Sequence, residues 1–213
     1  MLKKSILALC ALTLAAGLSA CGGGTSSYTI GGTVTGLRFP GLVLTNNLSN
    51  EVAVAPAGLE ADNTTPKSVS YRFSEQLDYG KPYSVTIKTQ PLHQQCVAAG
   101  GNADTAGRLS VVDAIFVCSL VSNSIGGTVS GLAADGLTLT NGSTGGTVTL
   151  AKDAAGAYPT TFTFTNPVTY DQTYGVTVLA NPAGQTCTVT NGVGTMGDNA
   201  VTNIAVSCVT NRT

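Results

Sequence analysis

The chain repeats itself, and this repetition limits its possible folds more than any other feature. Ile30-Gly-Gly-Thr-Val-Thr-Gly-Leu37 returns as Ile125-Gly-Gly-Thr-Val-Ser-Gly-Leu132, an offset of 95 residues. Leu42-Val-Leu-Thr-Asn46 returns at the same offset as Leu137-Thr-Leu-Thr-Asn141. Phe73, Tyr83, Pro91 and Cys96 then match Phe164, Tyr174, Pro182 and Cys187 at 91, and Cys118 matches Cys208 at 90. The first copy is therefore longer by four residues in its middle loop and by one between its cysteines. Length changes confined to loops mark a duplicated domain. The repeat predicts two modules, residues 28–120 and 121–210, with almost no linker between them and a short tail at 211–213.

Each module reads as a series of short strands. Tyr28, Ile30 and Val34 are apolar while Thr29, Thr33 and Thr35 are polar, the period of two of a half-buried strand. Leu42 and Leu44 continue the pattern, as do Tyr83, Val85 and Ile87, matched by Tyr174, Val176 and Val178. Ala114, Phe116 and Cys118 share one face of the last strand, as do Ile204, Val206 and Cys208 in the second copy. No segment after residue 20 carries a helical period, and Gly136, Asn141-Gly142 and Asn191-Gly192 punctuate the strands as turns. Six to seven strands in about 90 residues predict an all-β chain of two antiparallel sandwiches of immunoglobulin-like size.

The stretch Phe73-x-x-x-Leu77-x-x-Gly80-x-x-Tyr83-x-Val85-x-Ile87 resembles a corner of fibronectin type III, carboxypeptidase-regulatory and collagen-adhesin B-type domains. The resemblance implies that the Tyr83 ring packs in the core and that its hydroxyl caps upstream backbone. Module 2 departs from it, with Val168 for the Leu and Asp171 for the Gly that a turn at positive φ favours. The whole repeat, from the Ile-Gly-Gly-Thr-Val start to the final cysteine strand, resembles a module found in tandem in secreted and lipid-anchored proteins of Gram-negative bacteria. That resemblance implies an extracytoplasmic β-repeat without an assigned activity.

Ahead of the repeat, Lys3 and Lys4 precede an apolar run, Ser5 to Leu18, which ends in Leu18-Ser19-Ala20-Cys21. Those four residues resemble the lipobox of bacterial lipoproteins. The run of fourteen residues is short for a spanning helix, which needs about 20. The resemblance implies that residues 1–20 are a signal peptide, that Cys21 is lipidated and that residues 21–27 are a flexible linker. Gly22, rather than Asp, follows the cysteine, which in the sorting pattern of enteric bacteria favours the outer membrane. The partner expected on these grounds is a membrane, reached through the lipid. With 20 of its 213 residues removed, the chain carries eight basic and eleven acidic side chains, unclustered. Nucleic acid, which needs a basic patch, is excluded as a partner.

Cys96, Cys118, Cys187 and Cys208 remain, an even number in an exported chain. Four cysteines allow three pairings, and the near-equal spacings within the two copies favour Cys96–Cys118 and Cys187–Cys208. Zinc is not expected, because there is no C-x-x-C pair and His93 is the chain's only histidine. His93 has no partner in the second copy and reads as a solvated loop residue. Glu75 and Asp78 flank one corner and Asp171 occupies the other, and glycosidase chemistry would require two such acids to face one cleft, which a sequence does not set. Asp104 and Asp198 each stand alone in loops, too few oxygens for calcium. No catalytic residue, metal or cofactor is expected. The chain reads as a non-enzymatic envelope protein, a structural spacer or interaction module, whose contacts would come from the loops Val52–Arg72 and Val97–Asp113. The alternative is a carbohydrate- or peptidoglycan-binding lipoprotein. It would need exposed aromatic rings, for which Tyr71 and Tyr158 are the candidates.

Overall fold

The computed structural model describes residues 26–108, 112–142 and 145–212. The apolar run and the lipidation candidate Cys21 lie outside the described residues. The first module contains β1 (Ser27–Thr35), β2 (Leu42–Asn46), β3 (Asn50–Val54), β4 (Val69–Asp78), β5 (Pro82–Thr89), β6 (Gln94–Gly100), β7 (Ala103–Thr105) and β8 (Ala114–Leu120). A short strand, β9 (Ser122–Asn123), leads into the second module. There follow β10 (Ile125–Ser130), β11 (Leu137–Asn141), β12 (Thr147–Leu150), β13 (Thr161–Thr163), β14 (Val168–Thr169), β15 (Thr173–Ala180), β16 (Gln185–Thr190), β17 (Val193–Thr195) and β18 (Val201–Thr210).

Both modules are sandwiches of two four-stranded sheets. In module 1 the orders are β4-β1-β8-β6 and β3-β2-β5-β7; in module 2 they are β13-β10-β18-β16 and β12-β11-β15-β17. The inward residues read from the alternation form two separate cores. One gathers Ile30, Val34, Leu42, Leu44, Val85 and Phe116. The other gathers Ile125, Val129, Leu137, Leu139, Val176 and Ile204. The pairing is antiparallel with one exception in each module: β1 runs parallel to β8, and β10 parallel to β18. First and last strands have no hairpin between them, so nothing local forces them to be antiparallel.

The paired glycines of the repeat explain how those strands come together. A Cβ at Gly32 would overlap the Ala114 carbonyl, and one at Gly127 would overlap that of Ile204. Glycine is required where backbones approach this closely. Across the next pair, Cys96 faces Cys118 and Cys187 faces Cys208 in register, and each pair is bonded.

At the corners, Gly80 has φ 83° and Asp171 has φ 67°, so the aspartate adopts the left-handed turn that the glycine makes more easily. The Tyr83 ring is buried, but the buried tyrosine hydroxyl that holds backbone belongs to Tyr71, which donates to the Ala114 carbonyl at 2.8 Å. Burial and the nearby Asp113 carboxylate push the Tyr71 phenol well above its ordinary range, so it remains a neutral donor.

Candidate functional site

Chemistry-bearing side chains converge where the two modules meet. The chain leaves β8 and enters module 2 without a free linker. Val121 N–H donates to the His93 carbonyl at 3.0 Å, and Tyr170 N–H donates to the Val121 carbonyl at 2.8 Å. β9 pairs with β14 through Ser122–Thr169 and Asn123–Val168, and the Asn123 amide donates to the Gly197 carbonyl at 3.0 Å. Every residue of the crossing is therefore tied to one module or both.

His93 lies at the centre of this junction. Its ring stacks on Tyr170 with centroids 4.0 Å apart and planes 13° from parallel. Phe39 meets both rings edge-on, at 5.0 Å from His93 and 5.8 Å from Tyr170. His93 Nδ1 lies 2.8 and 2.9 Å from the two carboxylate oxygens of Asp198. Phe39 and His93 come from module 1, and Tyr170 and Asp198 from module 2. The histidine side chain is 25% exposed, so it is a wedge between modules and not the solvated loop residue that its sequence context suggests. With one face on Tyr170, an edge against Phe39 and Nδ1 committed to Asp198, the ring is held for packing and leaves little room for a substrate.

The duplication shows what makes this end of module 1 particular. His93 has φ 58°, and the equivalent residue of module 2 is Gly184, with φ 69°. The turn favours glycine, and a side chain there costs on the order of 1 kcal/mol in backbone strain. Module 1 carries that strain where its ring has a partner. Phe39 likewise corresponds to Ala134, at the far end of module 2.

A second set of residues, missed by reading the sequence, closes each module in the same way. Buried Gln94 accepts from the backbone N–H groups of Arg38 and Phe39 at 2.7 and 3.0 Å and donates to the Gly36 carbonyl at 2.7 Å. Gln185 repeats this with Ala133, Ala134 and Gly131 at 2.8, 3.1 and 2.7 Å. The Gln94 staple fixes the backbone that carries Phe39, and so orients the junction. Its signal was present in the sequence: glutamine is kept at an offset of 91 while its neighbours change.

The remaining candidates disperse. Tyr71 is in the core, and Tyr158 is half-buried with the Lys152 ammonium 5.0 Å from its ring centroid, so neither is an open glycan platform. Glu75, Asp78 and Asp171 are exposed. Asp104 accepts from Thr105 N–H and from Arg108, and Asp198 is engaged by His93. Among the described residues, no three histidine, cysteine or acidic side chains cluster as metal ligands.

The ends of the expected contact loops are strand, because Val52 and Val97 lie in β3 and β6, and Val69–Arg72 opens β4. The loop at 55–68 lines a 220 Å³ cleft with Arg38, Gln94 and Leu120, beside the junction. Within it, Thr65 hydroxyl and N–H and Thr64 N–H all donate to Asp62, which holds that carboxyl well below the usual carboxylate range.

No known family and no curated protein matches the chain. Among solved structures, it is similar to the C-terminal fragment of the pilus adhesin SpaC from Lactobacillus rhamnosus GG, at 9% identity and TM-score 0.34, over 86% of this chain and 99% of that one. A major pilin from Streptococcus pyogenes shares 15% identity at TM-score 0.30, over 88% of this chain and 98% of the pilin. The Bacillus anthracis TIE protein shares 12% identity at TM-score 0.32, over 88% of this chain and 41% of its own length.

Proposed function

We propose that the chain is a non-enzymatic, lipid-anchored envelope protein whose two sandwiches act as one stiff spacer and interaction module. The observation that carries this is the junction. A free linker would let tandem domains reorient, whereas here the crossing is absorbed into β9–β14 pairing and locked by His93 against Tyr170 and Asp198. A stiff pair displays its far end at a fixed distance from its origin, which is what a spacer requires. The use of the single histidine as a packing wedge further supports a non-catalytic role. The anchor rests on Leu18-Ser-Ala-Cys21. A lipidated cysteine holds a membrane because each buried CH₂ contributes about 0.8 kcal/mol. Gly22 after the cysteine argues against retention in the inner membrane and supports the outer membrane as the anchor's site.

The test has two arms. Membrane fractionation of a Cys21→Ser variant is expected to find it soluble or unprocessed, and retention equal to the wild type removes the anchor from the reading. Small-angle scattering of the two-module chain is expected to fit one rigid particle. A spread of inter-module angles removes the spacer.

A further inference from the structure

The pole of module 2 that receives His93 has an equivalent in module 1. The start of β1 enters that pole as β9 enters the other: Ser27 pairs with Asp78 as Ser122 pairs with Thr169. At offsets of 91 and 90, Tyr170 corresponds to Tyr79 and Asp198 to Arg108. Tyr170 is covered by the preceding module, but Tyr79 is 68% exposed. Among the described residues its ring lies against Gly107 and meets Tyr28 at a tilt, with centroids 6.2 Å apart.

The chemistry of the pole is also changed. The module 2 set Tyr170, Asp171, Gln172 and Asp198 becomes Tyr79, Gly80, Lys81 and Arg108 in module 1, so two acids are absent and two bases added, while Asp78 stands where module 2 has Thr169. Of the acids nearby, Asp78 ends β4, and Asp104 is occupied by Thr105 N–H and Arg108, whose side chain stays 74% exposed. Beside this turn is the tip that follows β2. Asn47 bonds to Pro82 and Ser84, and the next residue, Leu48, is 83% exposed with φ 64°.

We propose that this pole is a docking surface for the lipid bilayer. Tyr79 and Leu48 enter the interfacial layer, and Lys81 and Arg108 lie among headgroup phosphates. The occupant is argued from where the described chain begins. The Ser26 carbonyl accepts from Tyr79 N–H at this pole, and four residues separate Ser26 from Cys21. Extended, they reach less than about 20 Å. A lipid on Cys21 therefore holds this pole within tether reach of the membrane. Tyrosine suits that layer because one end of its ring is apolar and the other polar, and basic side chains favour lipid phosphates. The inference rests on the anchor reading above, and it adds that module 1 stands on the bilayer instead of swinging from its tether.

The chain has no tryptophan, so one introduced residue is a clean reporter. Protein purified with its lipid is reconstituted into phosphatidylethanolamine–phosphatidylglycerol vesicles with brominated acyl chains. Tyr79→Trp and Leu48→Trp are compared with Leu179→Trp, an exposed position on β15 of module 2. The expected result is a blue shift and strong quenching at 79 and 48 and neither at 179, with Arg108→Asp weakening the quenching while flotation with vesicles is unchanged. Protein that floats but shows no quenching at 79 and 48 overturns the docking surface and leaves the anchor standing. Protein that does not float overturns the anchor, and the docking with it. A blue shift that grows with protein concentration in the absence of vesicles assigns the pole to a second copy and overturns the proposal.

Discussion

The two modules agree where the sandwich is closed and differ at their poles. Both keep the glycine that brings first and last strands together, the cross-strand cystine, and the buried glutamine that ties three backbone groups. They part at Phe39 and His93 against Ala134 and Gly184, and at Lys81 and Arg108 against Gln172 and Asp198. Duplication therefore fixes the interior and leaves the ends free to acquire neighbours. The end of module 1 acquired module 2. The corresponding end of module 2 has alanine and glycine in place of Phe39 and His93, so the ring contacts of this junction have no counterpart there.

The largest expected difference comes from opening one cystine at a time. Cys187→Ala with Cys208→Ala is expected to lower the stability of module 2 by about 3 kcal/mol, and the Cys96–Cys118 pair to do the same for module 1. Denaturant melts read through module-specific probes check this. If either variant lowers both transitions equally, the junction couples the modules so tightly that they unfold as one unit.

A smaller effect is expected at the wedge. His93→Gly relieves the left-handed strain but removes the stack and the Asp198 contact. Module 1 alone should be unchanged or firmer, while coupling between the modules falls by on the order of 1 kcal/mol. Gly184→His places the same ring at a pole that meets no other module among the described residues, and it should cost module 2 a similar amount. NMR rotational diffusion of the two modules reads the first variant, and thermal melting the second.

The smallest effect separates one threonine from its copy. Thr45 Oγ1 is buried without a partner among the described residues, whereas Thr140 Oγ1 donates to the Gly142 carbonyl at 2.9 Å. Thr45→Val should be neutral or stabilising, and Thr140→Val should cost about 1 kcal/mol. Equal losses at both positions would mean that the Thr45 hydroxyl is satisfied after all, by water.

Alternation and repetition in the sequence were enough to determine an all-β chain with inward Ile30, Val34, Leu44, Val85 and Phe116, because period-two burial is a local property of a strand. The same alternation could not set strand direction, since the parallel pairing of β1 with β8 joins residues about 80 positions apart with no turn between them. Tyr71, a candidate ring for the glycan-binding alternative, turns out to be core for a related reason: its hydroxyl is satisfied by Ala114, which only the folded sheet brings to it. The role of His93 was equally illegible. Its partners Tyr170 and Asp198 are distant in sequence and lie in another module, and a lone polar residue in a loop carries no mark of what will pack on it. Local periodicity fixed what each strand buries. Only the tertiary structure decided what the ends of the sandwiches meet, because contacts between poles depend on how two finished modules are set against each other.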